Sequence, residues 1–410
     1  MDIKITPKKL CGEVTVPPSK SVAHRMIIAA ALADGTSTIS NLYPSVDILA
    51  TMDCMRALGA KIDFNGDKAV IKGIKKIPEK AVLDCHESGS TLRFLIPVAC
   101  AFGVNAEFVG SGKLPERPIT PFVEEFPKHG ITFDFSKAAN GCTLPCTVSG
   151  KLTSGMFEID GGLSSQFITG LLFALPMLDG DSELVLTSKL NSKPYIDITL
   201  DVLRSFGCGI NEIDNQYHIK GDQRLKPFTG SVEGDYSQAA FFYTANALGS
   251  VLDIKGLNRN SFQGDKEIVR ICETFVSSGG QPFEIDGSDI PDIVPILSVL
   301  ACFAKGTSKI TNIARLRFKE SDRLNVTAEC LNALGGKVTV HEDSLEIEGV
   351  GALMGGEIDG HNDHRIPMSM AIAATMCEKP LIIRGAECVR KSFPDFFDVY
   401  RALGGEFEII

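Results

Sequence analysis

The chain lacks the long apolar run that a membrane span requires. Its nearest approach, Phe167 to Leu178, is interrupted by Thr169, Gly170 and Pro176, against the ~20 apolar residues a span needs. A signal-peptide core is missing as well, since Met1-Asp2-Ile3-Lys4-Ile5-Thr6 reads as a strand. Metal and disulfide frameworks have no basis in the cysteines. All twelve are scattered, and the closest pair, Cys142 and Cys146, has no second pair or histidine beside it. That spacing argues against zinc and for a reducing cytosol. Positive charge is not in excess. A net charge of −10 speaks against nonspecific binding to nucleic acid or anionic membranes, though a cleft can still be locally basic. No Walker A motif is present, because Gly110-Ser111-Gly112-Lys113 lacks the spacing and the following Ser or Thr; no Rossmann fingerprint is present either.

What the chain does have is an internal repeat. At 410 residues it is too long for one ordinary core, so two domains are expected. An amphipathic helix ending at a glycine recurs at Gly59, Gly130, Gly207, Gly279, Gly335 and Gly404. The glycine suits a left-handed C-cap, and a hairpin of short alternating strands is expected after it. Between these elements lie helices that are apolar nearly all round, a mark of burial, each preceded by small polar residues. They follow Ser19-Lys20-Ser21, Ser88-Gly89-Ser90, Ser164-Ser165-Gln166, Asp235-Tyr236-Ser237, Asp289 to Pro291 and Asn362-Asp363-His364. The fifth is expected to begin at Asp292. This makes about six copies of a unit of roughly 55–80 residues, longer than solenoid periods and so suited to compact domains.

The last hairpin stops after one strand at Ile410, and the two amino-terminal strands, Asp2 to Thr6 and Gly12 to Val16, are the material to complete it. A discontinuous domain of residues 1–18 plus 231–410 is therefore expected around an inserted domain of residues 19–230. The hinge would lie near 17–20 and 230–234. If the units pack with pseudo-threefold symmetry, three helix amino termini converge in each domain, and two such sets facing one cleft attract anions.

The most concentrated chemistry is Arg317-Phe318-Lys319-Glu320-Ser321-Asp322-Arg323. Leu324, Ala328, Leu331 and Leu334 follow at helical spacing, so a helix starts near Ser321 or Asp322. Arg323 would then sit in the first turn, where the macrodipole disfavours a cation and a bound anion would resolve the conflict. Ser19-Lys20-Ser21 with Arg25 one turn on offers hydroxyls and two cations at another helix start. Glu116-Arg117-Pro118, Asp363-His364-Arg365 and Lys391-Ser392-Phe393-Pro394 are unremarkable singly.

Their combination is not. Ser164-Ser165-Gln166, Ser192-Lys193-Pro194-Tyr195, the tract ending at Arg323, Asp363-His364-Arg365 and Lys391-Ser392-Phe393-Pro394 occur in this order along a six-unit chain. The sequence resembles the 5-enolpyruvylshikimate-3-phosphate synthase family over essentially its full length. The resemblance implies an α/β (α+β) fold of two similar domains, each of three βαβαββ units with buried helices, hinged around a central cleft. It implies transfer of the enolpyruvyl group of phosphoenolpyruvate to the 5-hydroxyl of shikimate 3-phosphate, releasing phosphate.

Carried over by motif, the resemblance implies that Lys20, Ser21, Arg25, Ser164, Ser165, Gln166, Ser192, Tyr195, Asp292 and Lys319 hold shikimate 3-phosphate. It implies that Lys20, Gly89, Arg117, Gln166, Arg323, Arg365 and Lys391 hold phosphoenolpyruvate. Asp292 is the expected base, Glu320 the expected acid, and Lys20 shares the proton relay. Lys319, Arg323 and the helix end would hold Glu320 ionised until bound anions offset them. No metal or cofactor is expected. The partners are the two small-molecule substrates, with no nucleic acid or membrane, for a monomer in the cytosol. Two departures stand out: Glu87 occupies a position where many relatives have Asn, and Arg315 stands where some have an Asn.

Two rivals are weighed against this reading. The UDP-N-acetylglucosamine enolpyruvyl transferases share the chemistry, but typically carry a reactive loop cysteine that Ser111 to Glu116 lacks, and usually read Lys-Asn where this chain has Lys20-Ser21. A non-catalytic anion-binding protein on the same scaffold is disfavoured by the presence of Asp292, Lys319 and Glu320.

Overall fold

The computed structural model describes residues 1–214 and 216–410. The chain divides into two compact units: Met1–Ser19 with Gly234–Ile410, and Lys20–Glu233. The boundaries thus fall slightly beyond 18 and 230. The reason for the second shift is strand pairing. Thr229–Ser231 lies parallel to Thr36–Ser40, and the Val232 amide donates to Ser40, so this stretch is tied to the inserted unit.

The Lys20–Glu233 unit holds three four-stranded sheets of one design. In the middle one, Lys80–Asp84 runs parallel to Asn105–Val109, which pairs antiparallel with Cys146–Ser149, itself antiparallel to Thr132–Asp134. A parallel neighbour needs a crossover, and here the crossover is the buried helix Gly89–Phe102. Helix Ser165–Ala174 makes the same crossover between Met156–Ile159 and Ser182–Leu186, whereas Lys20–Leu32 leads into Thr36–Ser40, whose parallel neighbour Thr229–Ser231 comes from the far end of the unit. The two crossover helices therefore begin just after the carboxyl end of a strand, where open α/β sheets place ligands.

Two of these helices approach closely for a reason visible in the sequence. Pro97 has no N–H to give the Arg93 carbonyl four residues back. Gly170 of the neighbouring helix lies against that carbonyl, so closely that a Cβ there would sit 2.3 Å from it.

In the Met1–Ser19/Gly234–Ile410 unit, two sheets repeat the four-stranded design. One has the order Glu284–Asp286, Thr307–Thr311, Ser344–Glu348, Lys337–Val340; the other Gly356–Asp359, Leu381–Arg384, Ile3–Thr6, Glu406–Ile409. The strand Ile3–Thr6 completes the last sheet between Leu381–Arg384 and Glu406–Ile409. Its neighbour in sequence does not join it. Cys11–Thr15 pairs instead in parallel with Val251–Lys255, forming a sheet of two strands among the described residues.

The repeat that ends at Gly279 is abridged. Only residues 278–283 separate helix Glu267–Ser277 from strand Glu284–Asp286, too few for a hairpin, and that strand enters the next sheet. The open side of Val251–Lys255 is capped locally. The Asn246 side chain donates to the Leu252 carbonyl at 2.8 Å and accepts from its amide at 2.8 Å.

The six repeat glycines all have positive φ, between 73° at Gly279 and 109° at Gly59, as left-handed helix ends require. Helix Val294–Ala301 begins two residues after Asp292, which therefore lies in the preceding turn and not in the helix.

Candidate active site

In the Lys20–Glu233 unit the predicted residues gather around the three buried helix starts. Lys20 opens helix Lys20–Leu32 and pairs with Asp47 at 2.8 Å. One turn on, Arg25 is buried with no carboxylate paired to it among the described residues. It donates to the Ser21 carbonyl (2.8 Å), the Tyr195 carbonyl (2.9 Å), Thr199 Oγ1 (2.7 Å) and Thr169 Oγ1 (3.3 Å), above the Phe94 ring. Burial among neutral partners works against its charge, with Tyr195 opposing, and its pKa falls to about 9. It stays cationic at neutral pH, and an anion nearby would relieve the strain on its charge.

Ser164 caps helix Ser165–Ala174 through the Gln166 amide, and the Gln166 side chain is pinned at both ends. Its nitrogen donates to Ser90 at 3.0 Å, while its oxygen accepts from Arg93 at 2.7 Å. Ser165 lies buried behind it. Arg93 also donates to the Pro118 carbonyl at 2.9 Å, so it holds the segment that carries Arg117.

Arg117 is 7% exposed, and its Nε has no hydrogen-bond partner among the described residues. Its guanidinium lies over Gly89 at the start of helix Gly89–Phe102; a Cβ at Gly89 would be 2.5–2.7 Å from three of its atoms. A buried cation laid over an N-terminal helix end, with no carboxylate paired to it among the described residues, suits an anion. Ser192 caps helix Lys193–Ser205 in the left-handed region at φ 62°, a conformation that costs a non-glycine residue of order 1–3 kcal/mol and clusters at functional sites. Its carbonyl accepts from the Tyr195 amide at 3.1 Å. The carboxylate of Glu87 lies against Gly112.

In the other unit the charged tract resolves into distinct parts. Asp322 caps helix Arg323–Ala333 through the Asn325 amide and pairs with Arg317 at 3.4 Å. Arg323, 1% exposed at the first helical position, is met by the protein's own carboxylates. Its Nε and Nη2 donate to Asp363 at 2.9 and 3.1 Å, Nη2 to Glu320 at 2.6 Å, and Nη1 to Asp292 at 3.1 Å. Burial opposes its charge, but Asp363, Glu320 and Asp292 outweigh burial and raise its pKa. The conflict between a cation and the helix dipole is thus settled inside the protein, without a ligand.

Around this centre stand further cations. Lys319 is 3.3 Å from Asp292, and Arg365 is 3.8 Å from it while donating to the Ser237 carbonyl at 2.9 Å and hydroxyl at 2.8 Å. Desolvation lowers the pKa of Lys319, with Asp292 opposing and Arg323 adding to the fall. Lys391 donates to the Asn362 carbonyl at 2.6 Å. Arg315 donates to the Ser288 carbonyl.

Two residues of this network were given no role from sequence. Arg93 orients Gln166, and its signal was a lone charge inside an otherwise apolar helix. Asp363 is fully buried and accepts from Arg323, Ser321 (3.0 Å) and the Arg365 amide (3.0 Å). Its signal was an acid immediately before His364-Arg365 at a buried helix start.

Buried guanidiniums at helix starts in one unit, and a carboxylate–cation cluster in the other, suit an enzyme that moves protons on strongly anionic substrates. Structural comparison gives the class. The chain matches EPSP synthase from Acinetobacter baumannii at a TM-score of 0.81 and 25% identity, over 100% of both chains. It shares the fold of the enolpyruvyl transferase NikO from Streptomyces tendae at 0.76 and 17% identity, over 99% and 98% of the two chains. This is the enolpyruvyl transferase fold.

Within that class the chain belongs to the EPSP synthase (3-phosphoshikimate 1-carboxyvinyltransferase) family, whose model matches residues 5–400. It is 45% identical to the 3-phosphoshikimate 1-carboxyvinyltransferase of Clostridium beijerinckii, over 99% of this chain and 98% of that one. It is 42% identical to that of Clostridioides difficile over the same shares.

Proposed function

We propose that this protein transfers the enolpyruvyl group of phosphoenolpyruvate to the 5-hydroxyl of shikimate 3-phosphate, giving 5-enolpyruvylshikimate 3-phosphate and phosphate. Family membership along the chain supplies the reaction. The observation that ties it to these residues is Arg117, a buried guanidinium over the start of the Gly89 helix with no partner for its Nε among the described residues.

The two substrates bring roughly five or six negative charges, since each phosphate carries about −1.5 to −2. Gly89, Arg117, Gln166, Lys20, Arg323, Arg365 and Lys391 are assigned to phosphoenolpyruvate. Ser21, Arg25, Ser164, Ser165, Gln166, Ser192, Tyr195 and Lys319 are assigned to shikimate 3-phosphate, with Lys20 and Asp292 touching it too. Guanidinium forks suit carboxylate and phosphate oxygens.

The chemistry needs a proton on the methylene carbon of phosphoenolpyruvate as the 5-hydroxyl oxygen bonds to its C2 and loses its own proton. The tetrahedral adduct then gives up a methyl proton and expels phosphate. Asp292 takes the hydroxyl proton and Glu320 serves the methylene carbon, with Lys20 sharing the relay. Lys319, Arg323 and Arg365 lie within 3.1–3.8 Å of Asp292, and turning Lys319 and Arg365 to substrate oxygens would free its carboxylate to meet the 5-hydroxyl.

We assign the reaction to a monomer in the cytosol. All twelve cysteines are free thiols, as a reducing compartment favours. No helix among the described residues is long and apolar enough to cross a membrane.

Phosphate release from phosphoenolpyruvate and shikimate 3-phosphate tests the reading, with UDP-N-acetylglucosamine as control acceptor. Release only with the control would assign the rival reaction, and release with neither would leave an anion-binding protein.

A methyl group at Gly89 must displace the Arg117 guanidinium. Gly89→Ala should raise the KM for phosphoenolpyruvate about tenfold or more, the scale of a lost hydrogen bond to a charged group, with kcat less affected. Steady-state kinetics at varied phosphoenolpyruvate check this; an unchanged KM would detach Arg117 from that substrate.

A further inference from the structure

We infer that the buried imidazole of His24 orients a chain of hydroxyls ending at Ser88, and so makes the Ser88 hydroxyl a donor to the anion held at the start of the Gly89 helix. The inference rests on the reaction proposed above and adds positioning residues to its phosphoenolpyruvate subsite.

The chain is continuous and dry. His24 Nδ1 lies 2.7 Å from Thr51 Oγ1, which lies 2.7 Å from Thr91 Oγ1; Thr91 Oγ1 donates to Ser88 Oγ at 2.8 Å. These residues come from three helices, Lys20–Leu32, Val46–Ala57 and Gly89–Phe102, with Ser88 as the N-cap of the last. None of the four exceeds 1% exposure, so bulk water cannot reorient them.

Counting protons sets the polarity. Each hydroxyl has one proton to give. Ser88 Oγ accepts from the Thr91 hydroxyl and also from the Thr91 amide at 3.2 Å. With its proton committed to Ser88, Thr91 must accept from Thr51, and Thr51 must accept from an Nδ1–H on His24. Among the described residues the one competing acceptor for the Thr51 proton is the Asp47 carbonyl at 3.3 Å, the longest contact of the set.

The reverse polarity requires the proton on Nε2. That atom has no hydrogen-bond partner among the described residues, and the ring meets the Phe94 ring at right angles, 6.4 Å between centroids. A buried N–H without an acceptor is among the rarest features of folded proteins, so Nε2 keeps its lone pair and Nδ1 keeps the proton. Double protonation is also opposed: burial, then Lys20 and Arg25, hold the His24 pKa well below its usual value.

The consequence falls on Ser88. Its oxygen accepts twice from Thr91, and its own proton has no acceptor among the described residues. It immediately precedes Gly89, over which Arg117 lies. An anionic oxygen of phosphoenolpyruvate at this helix start would meet the Ser88 hydroxyl together with the free amides of the first turn and the guanidinium.

Two measurements test this. The imidazole nitrogen spectrum of labelled wild-type protein, with His24 assigned from the His24→Asn variant, should show a protonated Nδ1 and a bare Nε2, with and without phosphoenolpyruvate. A protonated Nε2 would overturn the proposal whether or not the enzyme turns over. In kinetics, Thr91→Val interrupts the chain while keeping the shape and the capping amide. It should raise the KM for phosphoenolpyruvate about tenfold, the scale of a hydrogen bond to a charged acceptor, and leave the Kd of shikimate 3-phosphate unchanged.

Ser88→Ala should give a similar rise, and the double variant no more than Ser88→Ala alone, because Thr91 acts through Ser88. Rises that multiply in the double variant, or an unchanged KM in Thr91→Val, would sink it. Wild-type phosphate release reports separately on the reaction, so turnover with independent variants would remove the hydroxyl chain and leave the proposed function intact.

Discussion

Arg323→Met should destabilise its unit by about 3–5 kcal/mol, the range for removing one member of a buried ion pair, and abolish turnover. The guanidinium is the shared partner of Asp363, Glu320 and Asp292. Without it, Asp363 remains fully buried, keeping the Ser321 hydroxyl and the Arg365 amide but losing the charge that faces it. Methionine fills much of the volume but supplies no donors, so the loss comes from the uncompensated carboxylates and not from a cavity. Since domains are stable by only about 5–15 kcal/mol, urea unfolding will register the change. Arg323→Lys should recover part of it: an ammonium restores the charge but cannot reproduce the fork that meets three carboxylates at once. A loss below about 1 kcal/mol for Arg323→Met, the level of an exposed pair, would mean that the centre relaxes by admitting water, contrary to its burial.

Glu320→Gln should bind both substrates and lose turnover by at least ~100-fold, the low end for acid–base catalysis by a positioned group. The amide keeps the size of the side chain and can still accept from Arg323, so the architecture around Arg323 survives. What disappears is a group able to carry a proton to and from the methylene carbon. The side chain is half-buried and accepts from Arg323 at 2.6 Å, and substrate anions competing for that guanidinium would release it to serve the methylene carbon. Binding isotherms for each substrate beside single-turnover rates check the prediction, and near-normal turnover would take Glu320 out of the mechanism.

The parts of the molecule legible in the sequence are those fixed by local physics. Apolar-all-round helices after short polar segments are visible in composition alone, and the glycines that end the amphipathic helices adopt positive φ. The family, too, was readable from the order of its motifs. Pairings that span long stretches of chain were not. Nothing in Cys11–Thr15 distinguishes pairing with Val251–Lys255 from pairing with its sequence neighbour, because alternation sets which face is buried and not which strand lies alongside. The abridged repeat was hidden by Gly279, which promises a hairpin that the four residues between it and Glu284 cannot form.

The electrostatics of Arg323 show the same limit. Sequence placed a cation against a helix dipole and inferred a missing anion; the anion is Asp363, 40 residues on, a distance that spacing cannot bridge. Arg93 was legible in principle, since a charge within a buried helix must find partners, but only the fold reveals that one of them is Gln166.

The abridged repeat also distributes stability unevenly. Amides in a wide sheet are released only when several strands part together, whereas Val251–Lys255 and Cys11–Thr15 protect one another across a single seam. Sub-global opening begins where few backbone bonds must break, so this seam is where the unit exchanges its amide hydrogens soonest. Covalent continuity carries the effect further. Only residues 16–19 separate the end of Cys11–Thr15 from Lys20, so the least protected strand of one unit leads directly into the helix that holds Lys20, His24 and Arg25 in the other.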